Sequence, residues 1–396
     1  MLRQGGVFWM KSVAIEGCAS KAGEALRKEA GLSVGRGYFA EDGERRLSKR
    51  GGVSDAARRR ASLAGLKCAG GMLCVGLLLS EPAVAAMGAA RAMAQWCAVV
   101  APSLFPFLVL MPLLTCVPAE AGRRFLDPLM NKLFHLPGEA ASAMFIGMVA
   151  GSPAGAIAAR RTAAHSGMDR GQLQRLALAV TGFSPAFLIG GVGLGLLGGE
   201  AHGWVLLRAQ LLTQLAMALM MRDWWRDRRE PVAVEDGRME EQPVRAAVLT
   251  TLTICGYMTV FGALTFALRA VVGAKVAEVL ACVLDMPTGA AVLSGLAMEM
   301  RWKLVLTAVI VGFGGVCVGV QNLNALRGCG ISTVEYFALR LAAAALCAAF
   351  TAIQLRTPGN VLFFGKIFSE RPLTFASLVV ALMAVPALIR LHGTIS

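Results

Sequence analysis

Asp285 stands in the stretch CVLDMPTG, two residues before Pro287 and inside an otherwise apolar run. An ionisable group at membrane depth costs about 2.5–3.5 kcal/mol on insertion scales, so it needs a partner or a role there. Two readings stand: a site carboxylate for a solute or a coupling cation, or a cap on the short helix that follows Pro287. Ser152 in GSPAGAIAARR and Thr288 in MPTGA are hydroxyls at matching breaks, able to reach a ligand or to cap the helix that begins there. Gln321, Asn322 and Asn324 close the apolar run VGVQNLN. An amide offers donors and an acceptor, which suits the edge of a nucleobase or another polar solute, and equally suits a solvated helix end. Ser184 with Pro185 in GFSPAF, and Ser103 with Pro106 in APSLFPF, mark two more interruptions. The candidate solute-binding set is Ser152, Pro153, Gly155, Ser184, Asp285, Thr288, Gly289, Gln321 and Asn322.

Other chemistries find no support in the residue pattern. There is no P-loop, GxSxG, HExxH or pair of carboxylates on a shared helical face, so no catalytic residue and no enzyme activity are expected. The ten cysteines form no CxxC pair and lie mostly in apolar runs, as small buried hydrophobes do. The four histidines fall in connectors or at segment ends, so no metal or other cofactor is expected. Arg340, in EYFALRLAAAA, is a candidate buried partner or a snorkelling side chain. Glu299, Arg301 and Trp302 read as a membrane boundary.

The elements that hold these residues follow from composition. The 396 residues are 56% hydrophobic and 16% charged, with a mean hydropathy of +0.61, a profile that a soluble domain does not have. A helix needs roughly 20 apolar residues to span a bilayer. Eight windows qualify: 62–80, 99–117, 173–198, 203–221, 246–268, 304–320, 334–355 and 373–391. No alternating ten-residue pattern suggests a barrel, which leaves helices. The net charge of +14 is concentrated in the first sixty residues and the connectors, without interleaved aromatics or a binding module. It reads as positive charge retained on the cytosolic side, and no nucleic-acid partner is expected.

The hydrophilic run from Arg222 to Arg245 divides the membrane region in two, and SPAGA at 152–156 is echoed by MPTGA at 286–290. In each half a short apolar segment leads in, a proline breaks the helix and a second short segment leads out. A mid-segment proline frees backbone groups that hydrocarbon cannot satisfy, which confines such breaks to cavities. Paired breaks in two halves point to a midplane site in transporters built from repeats. A weaker echo comes after them, VTGFSPAFLIGGVGLG against IVGFGGVCVGVQNLN. The expected fold is an all-α polytopic membrane protein, with about eight transmembrane helices and two re-entrant hairpins in an inverted repeat. Its expected divisions are a basic, disordered cytosolic tail (1–60), a first half (61–221), a charged cytosolic loop (222–245) and a second half (246–396). Arg58–Arg60 followed by the apolar run to Leu79 imitates a signal peptide. The distance from Met1 favours an uncleaved first anchor with a cytosolic N-terminus.

PSLFPF at 102–107, GSPAGA at 151–156, the FSP run at 183–185, Asp285 with Thr288 and Gly289, and Gln321, in that order, resemble the sporulation integral membrane protein YlbJ family, which carries the nucleoside-recognition (Gate) domain. The resemblance covers roughly residues 63–391; the chain has Asp285 where the family pattern has Glu, and a proline at 287. It implies a cytoplasmic- or forespore-membrane protein of spore formers, needed for spore cortex formation. The Gate name reflects similarity to concentrative nucleoside transporters, with their re-entrant hairpins. The leading expectation is a transporter-like protein for a small polar, nucleoside-like solute. The rival is a non-transporting scaffold that recruits spore-assembly or cell-wall partners through its basic regions. The bilayer and a second copy of the chain complete the expected partners.

Overall fold

A computed structural model describes residues 68–115, 119–223 and 242–356, with 65 and 232. The chain divides into two compact units, Met1–Gly70 and Gly71–Ser396, and the second carries all nine candidate residues. The tail at 1–60, most of the charged connector and the window at 373–391 lie outside the described residues.

The described residues are helical and hold no β-strand. Five helices are long and apolar enough to cross a membrane. Their outer faces carry Met87, Leu252, Val260, Leu341 and Ile353 at 52–65% exposure. A water-soluble fold would bury such side chains, whereas hydrocarbon is their natural solvent.

After α1 (Cys68–Ser80), α2 (Pro82–Val100) leads through its π-helical last turn straight into α3 (Ala101–Thr115). The second span therefore starts at Pro82 rather than at Val99. Arg91 and Gln95 lower the hydropathy of its first half, while the alanines of PAVAAMGAARAMAQ keep it helical. It packs along α9 (Pro243–Val272). A Cβ at Gly88 would stand 2.4 Å from the Gly262 carbonyl oxygen, so the two glycines let these backbones touch.

Two four-element sets share the same order. The first is α5 (Ala140–Ala150), α6 (Ala154–Ser166), α7 (Arg170–Val180) followed by a π-helical segment (Phe187–Leu194), and α8 (Glu200–Met220), preceded by α4 (Ala119–Phe134). The second is α10 (Ala274–Leu284), α11 (Met286–Gly295), α12 (Met300–Phe313) followed by α13 (Gly315–Ala325), and α14 (Thr333–Arg356). Each set is a pair of short helices, a helix interrupted midway and a long unbroken helix. At 1.5 Å per residue the short helices measure about 15–20 Å, half a bilayer. Local chemistry fixes the ends: Gly167 turns left-handed after α6, and Asp169 with Gln172 forms a capping box on α7.

Alanines supply the first set's close packing, with Ala140, Ala143, Ala154, Ala156, Ala158 and Ala159 fully buried. The core around the second set uses larger groups, among them Met286, Leu304 and Val311.

Candidate functional site

Each short pair is a helical hairpin, as its glycines show. A Cβ on Gly155 would lie 2.2 Å from the Val180 carbonyl oxygen and 2.8 Å from the Cα of Gly147. Gly147 and Gly155 sit four residues either side of Gly151, so α5 and α6 fold back on each other at that tip. In the second hairpin, a Cβ on Gly289 would lie 2.6 Å from the Cα of Cys282. Gly155 and Gly289 thus serve helix contact. Neither lines the small cavity at the tips, and neither does Pro153, which caps α6 after a cis Ser152–Pro153 bond.

The tip of each hairpin rests on the interruption in its own half. The Ser152 N–H donates to the Gly182 carbonyl at 2.7 Å, just past the end of α7. Gly151, at φ 73°, passes so close to Ser184 that a Cβ would meet its nitrogen at 2.5 Å. In the second half, Gly314 turns at φ 89° between α12 and α13, and a Cβ on Gly315 would meet the Met286 nitrogen at 2.9 Å. Positive φ and backbone contact together require glycine at these points.

The interruptions free backbone groups, and each has a polar side chain to meet them. Gln210 of α8 accepts from the Phe183 N–H at 2.8 Å and donates to the Phe183 carbonyl at 2.9 Å. Arg340 of α14, 5% exposed, donates to the carbonyls of Phe313 at 2.9 Å, Val311 at 3.3 Å and, across in the first half, Thr181 at 2.9 Å. Of the two readings of Arg340, the structure selects the buried one. Its partners are the carbonyl ends of two half-helices, where a cation meets the negative pole of the helix dipole.

Both tips and both interruptions converge on one cavity of about 60 Å³, lined by Ser152, Phe183, Ser184, Asp285, Pro287, Cys317 and Gln321 among others. Asp285 is 6% exposed and caps α11, accepting from the Thr288 N–H at 3.2 Å and its hydroxyl at 2.6 Å. The two sequence readings of Asp285 are therefore compatible: a cap that also faces a cavity. Ser184 accepts from the Phe187 N–H at 3.3 Å and so caps the π-helical segment. Gln321 donates to the Cys317 sulfur at 3.3 Å. Asn322, 1% exposed, donates to the Ser152 hydroxyl at 3.1 Å and to the Tyr336 phenol oxygen at 3.0 Å, and its Oδ1 has no partner. Asn322 thereby ties the second half to the first hairpin tip from behind the cavity wall. Thr288 lines a separate, larger cavity.

Of the nine candidates, Ser152, Ser184, Asp285 and Gln321 meet at the cavity, Asn322 and Thr288 bond to that group, and Pro153, Gly155 and Gly289 shape the hairpins. Cys317, Phe183, Phe187 and Gln210 were not singled out from the sequence. The Gly-Phe pair repeated at 182–183 and 312–313 was the available signal for Phe183. Glu299 and Arg301 form an exposed pair at 2.6 Å with the guanidinium 5.3 Å from the Trp302 ring, as suits a membrane boundary.

No family model matches the chain, and no solved structure matches it. The chain is 25% identical over 321 residues to the sporulation integral membrane protein YlbJ of Bacillus subtilis (strain 168), an alignment covering 69% of this chain and 78% of that protein. The match agrees with the resemblance carried by the PSLFPF and GSPAGA motifs. With five apolar helices of spanning length, it makes the chain a multi-pass integral membrane protein related to YlbJ.

Proposed function

We propose that the protein is a transporter-like membrane protein for a small polar solute, acting in sporulation, with its site where the two hairpin tips meet the two interrupted helices. The observation that carries this reading is the shared cavity, in which Ser152, Ser184, Asp285 and Gln321 come together from both halves. Two half-length hairpins, each resting on a broken helix, are what re-entrant hairpins of an inverted repeat require. Backbone interruptions are tolerated at membrane depth where they border a cavity or are met by protein, and here both conditions hold. The sporulation context comes from the name of the relative, and the corresponding location for this chain is the cytoplasmic or forespore membrane.

The cavity's size bears on the solute. About 60 Å³ holds roughly two waters, each taking about 30 Å³, whereas small-molecule sites measure about 300–1,000 Å³. A nucleoside-sized solute therefore requires the tips to part from their positions here.

The test is a thermal-stability screen of the purified protein in detergent against nucleosides, nucleobases, amino acids and small cell-wall precursors, alongside Asp285→Asn. A ligand at a hundred times its dissociation constant adds about 2.7 kcal/mol to the folded state. A stabilising compound whose effect vanishes in the variant supports the site. If no compound stabilises the wild type, or if Asp285→Asn responds equally, the reading fails.

A further inference from the structure

A second cavity, of about 860 Å³, lies between α2, α9, α11 and the π-helical segment. Phe187 lines both this cavity and the small one, and its ring stacks on Phe183 with centroids 5.4 Å apart. On one side of Phe187 stands the Ser152–Asp285 site. On the other stands a space large enough for a whole solute molecule.

What fills the larger space is decided by Arg91. It lines the cavity, is exposed, and makes no hydrogen bond or ion pair with any described residue. It sits nine residues into α2, about 14 Å along the helix from Pro82 at 1.5 Å per residue, inside the stretch long and apolar enough to cross a membrane. Gly88, one turn earlier, crosses α9 at Gly262, ten residues from the end of that helix. An unpaired cation at that depth is stable only where water reaches it. Gln95, one turn on, adds an amide to the same wall, and Thr288 adds a hydroxyl. Lipid chains would leave Arg91 and Gln95 unsolvated, whereas the Thr288 hydroxyl already bonds to Asp285.

The geometry points to this cavity as the aqueous vestibule through which a polar solute reaches the Ser152–Asp285 site, with the Phe187 ring as the barrier between the two. The inference rests on the reading of the small cavity as the solute site. The barrier is local: Ala186, Gly190 and Gly191, its neighbours on the vestibule wall, are too small to replace the ring. Phe187 belongs to the segment capped by Ser184, so displacement of the first hairpin tip, which touches Ser184, would move the ring as well.

Thiol chemistry tests the inference without a known solute, because Cys317 lines the small cavity. In the full-length protein in liposomes, modification by a charged, membrane-impermeant methanethiosulfonate is followed at each cysteine by peptide mass spectrometry. Ala291→Cys, on the vestibule wall, is expected to react rapidly, while Cys347, as buried as Cys317 but lining neither cavity, stays unmodified. Phe187→Ala is expected to raise the rate at Cys317 at least tenfold and leave Cys347 unchanged; Phe187→Leu, the variant most certain to fold, gives a smaller rise of the same sign. If Ala291→Cys reacts with a lipophilic maleimide but not with the charged reagent, lipid fills the space and the vestibule is overturned. If Cys317 labels at the wild-type rate in both Phe187 variants, the barrier is overturned. Failure of the solute screen with labelling as expected would remove the transport reading and leave the hydrated vestibule standing.

Discussion

The two halves meet the same physical problem, a helix interrupted midway, with different side chains. The first half uses a neutral amide: Gln210 holds both the N–H and the carbonyl of Phe183. The second half uses a charge: Arg340 gathers three carbonyls, one of them from the opposite half. A glutamine mends a break where it lies. A guanidinium, with five donors in a rigid fork, can also bind two breaks to each other. The hairpin tips differ in the complementary sense. The first tip is tied by a backbone bond from Ser152 to Gly182, while the second carries an ionisable cap in Asp285. The half with the neutral clamp thus has the neutral tip, and the half with the arginine clamp has the ionisable one.

The largest effect expected from this contrast is at Arg340. Replacing it with Met strands three buried carbonyls, each costing about 1–3 kcal/mol, so thermal unfolding in detergent should show a loss of about 3 kcal/mol or more. Gln210→Leu strands two groups and should cost about 2 kcal/mol on the same measurement. An equal loss at both positions would break the distinction between a clamp within one half and a clamp across two. Gly155→Ala and Gly289→Ala probe the hairpins, and each should cost about 1–3 kcal/mol through overpacking, the former more because its Cβ would meet a carbonyl oxygen at 2.2 Å. A tolerated Gly155→Ala in a melting assay would show that α6 can move away from Val180 of α7 and from α5 there. Asp285→Asn should be nearly silent in stability, since Asn caps as well as Asp. Its effect belongs to solute binding, and a loss above about 1 kcal/mol without ligand would make the carboxylate a structural group.

Much of this architecture was legible in the residues. The prolines at 153 and 287 marked both tips because proline cannot continue a helix, and Ser184 with Pro185 marked the first interruption, whereas the second falls inside the apolar window 304–320, which reads as continuous. The start of the second span at Pro82 was not legible, since Arg91 and Gln95 depress a hydropathy window that helix propensity nonetheless keeps helical. Nor was the role of Gln210. A glutamine one turn above Leu206 and one below Gln214 carries no local pattern, and its meaning comes from Phe183, 27 residues away. Gly155 and Gly289 adjoin the breaks in sequence, and in the fold Gly155 packs against Val180 of α7 and Gly147 of α5 while Gly289 packs against Cys282 of α10. Sequence located both tips and the first interruption, and only the packing of α8 and α14 shows what satisfies the two breaks.

The bond from Asn322 to Ser152 is one of the contacts that any movement of the first hairpin tip away from the second half has to break. Among the described residues it is the side-chain hydrogen bond that fastens the first hairpin tip to the opposite half. A neutral bond of this kind is worth about 1 kcal/mol net, a factor of about five in population. Taken alone, so weak a latch would divide the molecules between latched and unlatched, with the tip held in both by the Ser152 N–H bond to Gly182. Exchange between the two would then be governed by ordinary thermal fluctuation, with no need for an energy source acting on the latch itself.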